Sequence, residues 1–239
     1  METTTEEAMY LTCERKNIFL LLILCGGMMG AYTFNMRGGV FCNAQTANFV
    51  LMSISFGQGH WAKAFYYLLP MTAYLLGSMI SEALPSPIKQ VGPLRWDTFL
   101  VLFEAISLFC IGFVPLTVPH QIVQVIINFL ASMQYNTFRQ AEGIPMATTF
   151  CTNHVRQVGI TLAKMLRKRD RAAFKRGMAH LSMLLCFVAG GTILTVACPL
   201  LQEKAIWLAL IPLGIILVQL IRADLLVERD LMEQKPHGH

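Results

Sequence analysis

Two clusters of polar residues interrupt an otherwise apolar sequence, and their types suit the handling of a small solute. Asn43, Gln45, Thr46 and Asn48 form the first; Thr152, Asn153 and His154, followed by Arg156, form the second. Amides and hydroxyls both donate and accept hydrogen bonds, so such groups can replace part of a solute's hydration shell. His154 adds an imidazole that titrates near neutrality, and beside Arg156 it could hold an anion. A plainer reading stays open for both clusters. Thr or Asn at the start of a short helix caps its orphan amides, and Arg156 could simply belong to a basic face.

Glu104 is the third candidate. It lies in an apolar run between Phe103 and Ala105, and an acid inside such a run is costly enough to suggest proton or cation handling. Gln124, Asn128 and Gln134 in the next apolar run are its expected partners; a structural hydrogen bond between helices is the alternative role. No catalytic constellation accompanies these residues. G-x-S-x-G, H-E-x-x-H and phosphate-loop patterns are lacking, and the histidines (60, 120, 154, 180, 237 and 239) are scattered along the chain. No enzymatic activity is expected. The seven cysteines show neither CxxC pairs nor metal-ligand spacing, so no metal, cofactor or disulfide framework is expected either.

The elements that carry these residues read as membrane helices. Of the 239 residues 55% are hydrophobic and 14% charged, against about 25% charged in an average soluble domain. Several apolar runs approach the ~20 residues that cross a hydrocarbon core. Six spans are expected, near 17–35, 62–83, 98–115, 121–137, 178–198 and 205–221. Pro85-Ser86-Pro87 and Gly92-Pro93 end the second span, and Pro115 and Pro119 join the third to the fourth. The start, Glu14-Arg15-Lys16 followed by Ile18–Cys25, mimics a signal peptide. Leu24 before the cysteine and the later apolar runs favour a retained first helix. Gly26-x-x-x-Gly30 and Gly190-Gly191 suggest close helix packing.

Segments 43–56 and 148–166 are too short or too polar to face lipid, which suits re-entrant or interfacial placement. Charge distribution agrees. If both segments crossed, Arg156 would be stranded in the membrane. If neither does, both termini are cytoplasmic, and only Arg37, Lys63 and Lys204 lie outside. The net charge of +5 comes mainly from the stretch Arg156–Arg176, where Arg167, Lys168 and Arg169 are candidates for anionic lipid headgroups. Nucleic acid is not an expected partner.

The order span, short polar segment, span, span occurs twice. Thr33-Phe34, Gly39-Val40 and Thr46-Ala47-Asn48 are matched by Thr137-Phe138, Gly143-Ile144 and Thr152-Asn153-His154. Three crossings per unit invert the second copy relative to the first, an arrangement common in secondary transporters. The expected fold is an all-α polytopic bundle: a tail (1–16), a first repeat (17–117), a second repeat (118–222) and a C-terminal tail (223–239).

At these same motifs the chain resembles the YoaK-like family of small bacterial membrane proteins. The likeness is carried by Ala31-Tyr32-Thr33-Phe34, Arg37-Gly38-Gly39-Val40-Phe41 and Asn43 to Asn48. Thr137-Phe138-Arg139, Glu142-Gly143-Ile144-Pro145, Ala147-Thr148-Thr149 and Cys151-Thr152 complete it. The resemblance implies a bacterial inner-membrane location and six or seven helices, and no settled activity. Family members carry aspartate where this chain has Gly30, and Thr-Gly-Asn at both Thr46-Ala47-Asn48 and Thr152-Asn153-His154. The expected function is a transporter or channel for a small solute or ion, its pathway lined by Thr46/Asn48 and Thr152/His154. A non-catalytic lipid-interacting protein, with a homo-oligomer open to either, is the alternative.

Overall fold

The computed structural model describes residues 10–83 and 90–237. The Pro85-Ser86-Pro87 turn lies outside the described residues. Among the described residues the chain is all-α apart from two minimal hairpins. Its helices are α1 (Lys16–Met36), α2 (Gln45–Gly57), α3 (Trp61–Tyr66), α4 (Leu68–Ala83), α5 (Trp96–Ile111) and α6 (His120–Thr137). They continue with α7 (Thr152–Lys168), α8 (Arg171–Leu201) and α9 (Leu210–Arg222). β1 (Gln90–Val91) pairs antiparallel with β2 (Leu94–Arg95), and β3 (Gln140–Ala141) with β4 (Ile144–Pro145).

Local chemistry sets the ends of these helices. Gly38 and Gly39, at φ +83° and +72°, stop α1 because other residues rarely adopt that backbone. Asp170 starts α8 by accepting hydrogen bonds from the Ala172 and Ala173 amides, after Arg169 closes α7 in the left-handed region. Among the described residues, three segments are long and apolar enough to cross a membrane: Lys16–Met36, Trp61–Ala83 and the run Arg171–Val227. The 21 residues of α1 rise about 31 Å, close to the ~30 Å of a hydrocarbon core.

The bundle has two polar ends. At one, Thr12 donates through its amide and hydroxyl to Glu228, His237 donates its amide to Glu14, and Arg95 is ion-paired with Asp224 and Glu228. Both described chain ends therefore lie together. At the other, the buried guanidinium of Arg37 donates to the Tyr32 hydroxyl and to the carbonyls of Val114 and Pro115. Arg37 is thus fully buried at this end.

The helices between these ends pack in pairs. The most extensive interfaces are α1 with α8 and α4 with α6. In each the two helices run parallel: Leu24 meets Gly190 and Asn35 meets Thr195, while Gly77 meets Phe129 and Ser81 meets Thr137. Backbone proximity explains both. A methyl group on Gly27 would collide with the Phe187 carbonyl, one on Gly190 with the Leu24 carbonyl, and one on Gly77 would sit 2.6 Å from the Phe129 carbonyl. The expected Gly26-x-x-x-Gly30 helix contact is corrected in detail: Gly27 faces α8, whereas Gly26 and Gly30 face loops.

Polarity is arranged inside out. Leu75, Leu76, Leu185, Val188, Val196 and Leu200 are exposed, while Asn48, Gln124, Asn128 and Gln134 are buried. That is the pattern of a chain whose outer solvent is apolar.

Candidate functional site

The site is built by two segments that enter the bundle from opposite ends. After α1, residues 37–44 turn back into the interior, where the Asn43 amide donates to the Gly26 carbonyl at 2.9 Å. Gly26 is near the middle of α1, so this loop has returned about half the length of the helix. From there α2 heads back to the Arg37 end: Tyr66, just beyond it, lies beside Gly38. After α6, the β3–β4 hairpin stays at the terminal end, where the Glu142 amide donates to the Glu14 carbonyl at 2.9 Å. Residues 146–151 then dive inward and α7 returns, antiparallel to α8, with Thr161 against Gly177.

The two loops meet at Gly26. A Cβ on that residue would lie 2.7 Å from the Thr148 carbonyl, while its own carbonyl holds Asn43. Both helices that begin here, α2 and α7, start without a side-chain cap. Gln45 bridges from the first loop to Asn128 on α6 at 2.9 Å. Gln134, also on α6, points its amide toward the carbonyls of Leu22 and Thr148 at 3.4 and 3.5 Å. Among the described residues, the hydroxyl of Thr148 and Oε1 of Gln134 are buried without a hydrogen-bond partner. Such atoms are costly to leave dry.

Glu104 stands on α5 in the bundle interior. It is 1% exposed, and neither carboxylate oxygen has a hydrogen-bond partner. Cys25 of α1 and Cys42 of the first loop are near enough to feel its charge. The expected partners are corrected: Asn128 bonds Gln45 and the Gln124 carbonyl, and Gln124 bonds the Arg37 carbonyl and the Tyr66 hydroxyl. An apolar-buried carboxylate left this way is stabilised by anything that brings it a proton or a cation. No group of three metal-ligating side chains occurs among the described residues.

The other sequence candidates take distinct places. Asn48 is buried and ties its own loop, accepting from the Phe41 amide at 3.0 Å and donating to the Phe41 carbonyl at 2.7 Å. Thr46 and Thr152 are exposed at the starts of α2 and α7. Asn153 accepts from Arg156 at 3.2 Å, and with Tyr135, Arg139 and Ala147 it lines a cleft of about 240 Å³ that opens toward the second loop. Arg167, Lys168 and Arg169 are exposed at the far end of α7. His154 is not isolated: its Nδ1 lies 2.9 Å from Nδ1 of His180, and its Nε2 lies 2.8 Å from the Ala147 carbonyl. Thr148 and Thr149 were not singled out from sequence, although they stand inside a recognised motif. The i, i+4 spacing of Gln124 and Asn128 on α6 was a legible sign of a polar stripe; the His154–His180 pair had none, because 26 residues separate them.

An all-α bundle with membrane-compatible helices and a polar interior is the class that this geometry defines. The family described as "Protein of unknown function (DUF1275)" matches residues 18–219, and the chain belongs to it, in agreement with the YoaK-like resemblance. No curated protein and no solved structure matches the chain.

Proposed function

We propose that this protein is a multi-pass transporter or channel for a small solute or ion, with a pathway past the starts of α2 and α7. The observation that carries the reading is the meeting of two oppositely directed loops at Gly26; Glu104, fully buried and unpartnered on α5, supplies an acid to the same bundle interior. Half-helices that end at mid-bundle offer free amides and polar side chains to a solute without presenting them to lipid.

The packing supports an inverted repeat of three passes. The first helix of each half (α1, α6) lies parallel to the third element of the other (α8, α4), and the two first helices run in opposite directions. Six passes with both described ends of the chain together support termini on one side of the membrane, and the distribution of cations supports the cytoplasmic side. Among the described residues, Arg37, Lys63 and Lys204 are the cations at the opposite end, as the positive-inside rule asks. An inner-membrane location follows from the family resemblance. Thr46 and Thr152, exposed where the two half-helices begin, would line the approaches.

Reconstitution into liposomes tests the reading. Protons, alkali cations, small anions and small neutral solutes are each assayed for flux. The protein is expected to exceed protein-free liposomes for at least one, and Thr46→Ala with Thr152→Ala to reduce that flux at least tenfold. Undiminished flux in the double variant would remove these residues from the pathway, and no flux for any solute would remove the class.

A further inference from the structure

A second site lies outside the pathway, where α7 and α8 splay apart at the terminal end. Lys164 from α7 and Arg176 from α8 line a cleft of about 330 Å³ together with His180, Asp170, Gln157 and the β3–β4 turn. The helices are held together just below it by Thr161 against Gly177, where a Cβ would approach the Thr161 hydroxyl to 2.5 Å. Neither Lys164 nor Arg176 is ion-paired among the described residues, so two free cations face one cavity.

His180 fixes what those cations would hold. The Ala147 carbonyl can only accept, so the His154 Nε2 at 2.8 Å carries a proton. A neutral His154 then presents a lone pair at Nδ1, and His180 must donate its own Nδ1 proton across the 2.9 Å contact. That leaves His180 Nε2 as a lone pair with no protein partner among the described residues, on a ring that is 2% exposed and lines the cleft. The cleft therefore offers two cationic donors and one buried acceptor. Asp170 adds a further acceptor, because one of its oxygens is held by the Ala172 and Ala173 amides and the other is free.

We propose that this cleft binds a phosphate monoester in its hydrogen-bearing form, its charged oxygens on Lys164 and Arg176 and its P–OH donated to His180 Nε2. A fully deprotonated oxyanion such as sulfate would meet the lone pair of His180 and the Asp170 carboxylate with nothing to donate. A phosphodiester would lack the proton as well. The same chemistry is presented by a phosphatidic acid headgroup and by a soluble phosphate ester. Exposed Ile160, Phe174 and Met178 near the cleft are compatible with an acyl chain alongside. Through His154 and the Ala147 carbonyl, the occupied cleft touches the loop that carries Thr148.

Native mass spectrometry of the detergent-solubilised full chain tests this directly. Phosphatidic acid, phosphatidylglycerol, inorganic phosphate and sulfate are each titrated against the wild type, Lys164→Ala with Arg176→Ala, and the triple change Arg167→Ala, Lys168→Ala, Arg169→Ala. Retention of phosphatidic acid over phosphatidylglycerol, weakened at least tenfold in the Lys164/Arg176 variant and kept in the triple variant, is the expected result. Competition by inorganic phosphate and not by sulfate assigns the site to soluble esters also; lack of competition assigns it to the lipid. Equal retention of both lipids, or equal loss in the two variants, would reduce the cleft to part of a general basic surface and overturn the proposal. Thermal unfolding of each variant separates loss of the site from loss of the fold.

Discussion

Asn43 and Thr148, 105 positions apart in sequence, touch the same residue: Asn43 donates to the Gly26 carbonyl at 2.9 Å, and the Thr148 carbonyl occupies the space where a Gly26 side chain would stand. Each loop comes from a different half of the chain and a different end of the bundle. The contact through Gly26 is what joins the two halves at their centre, and it depends on the absence of a single methyl group.

Gly26→Ala is therefore expected to separate the loops. The added Cβ would lie 2.7 Å from the Thr148 carbonyl and 3.2 Å from the Thr149 Cα, backbone atoms that cannot rotate away. Overpacking of this kind costs ~1–3 kcal/mol, and flux should fall with it. Gly191→Ala is the control, since its nearest neighbour would be an ordinary 3.5 Å away. Thermal unfolding and liposome flux on both variants check this; equal behaviour would show that the Gly26 contact is dispensable.

Cys13 gives the terminal end a pH signature. Burial, with the Asp97 carboxylate beside it, pushes this thiol well above its ordinary value of 9.0. In the unfolded chain the thiol loses its proton as pH passes that ordinary value, while the folded protein keeps it. The folded state then binds more protons, so its stability falls as pH rises above 9. Cys13→Ala removes this contribution. The wild type should lose stability relative to the variant between pH 8 and 10 in thermal unfolding; a pH-independent difference would contradict the assignment.

Thr12 is joined to Glu228 and Glu14 to His237, so both described ends of the chain lie on one face of the bundle. Reporter domains fused to the N-terminus and to the C-terminus, one active only in the cytoplasm and one only outside it, should both read cytoplasmic. Opposite readings would break the six-pass arrangement.

Much of this architecture was legible in the residues. The run 17–35 has no polar residue between its ends but threonine and tyrosine, and it forms α1 almost residue for residue. The short polar segments 43–56 and 148–166 could not face lipid, and they become α2 and α7. The site was less legible, because it is made by backbone approach. A Gly-x-x-x-Gly spacing announces that something comes close without saying whether that is a helix or a loop. Glu104 announced its cost but not its surroundings: the amides expected to meet it are each engaged with another partner. The enclosure of Arg37 had no signal in the sequence, because Tyr32, Val114 and Pro115 meet it only in the folded bundle.

Flux through reconstituted liposomes with Glu104→Gln tests the central claim most directly. Glutamine keeps the shape of the side chain and removes its ability to exchange a proton or balance a cation, so the fold should persist with unfolding temperature unchanged or raised. The account predicts solute or ion flux well above protein-free liposomes for the wild type and at least a tenfold loss in the variant. Wild-type flux no greater than that of empty liposomes for every solute, or full flux in a folded Glu104→Gln protein, would contradict it.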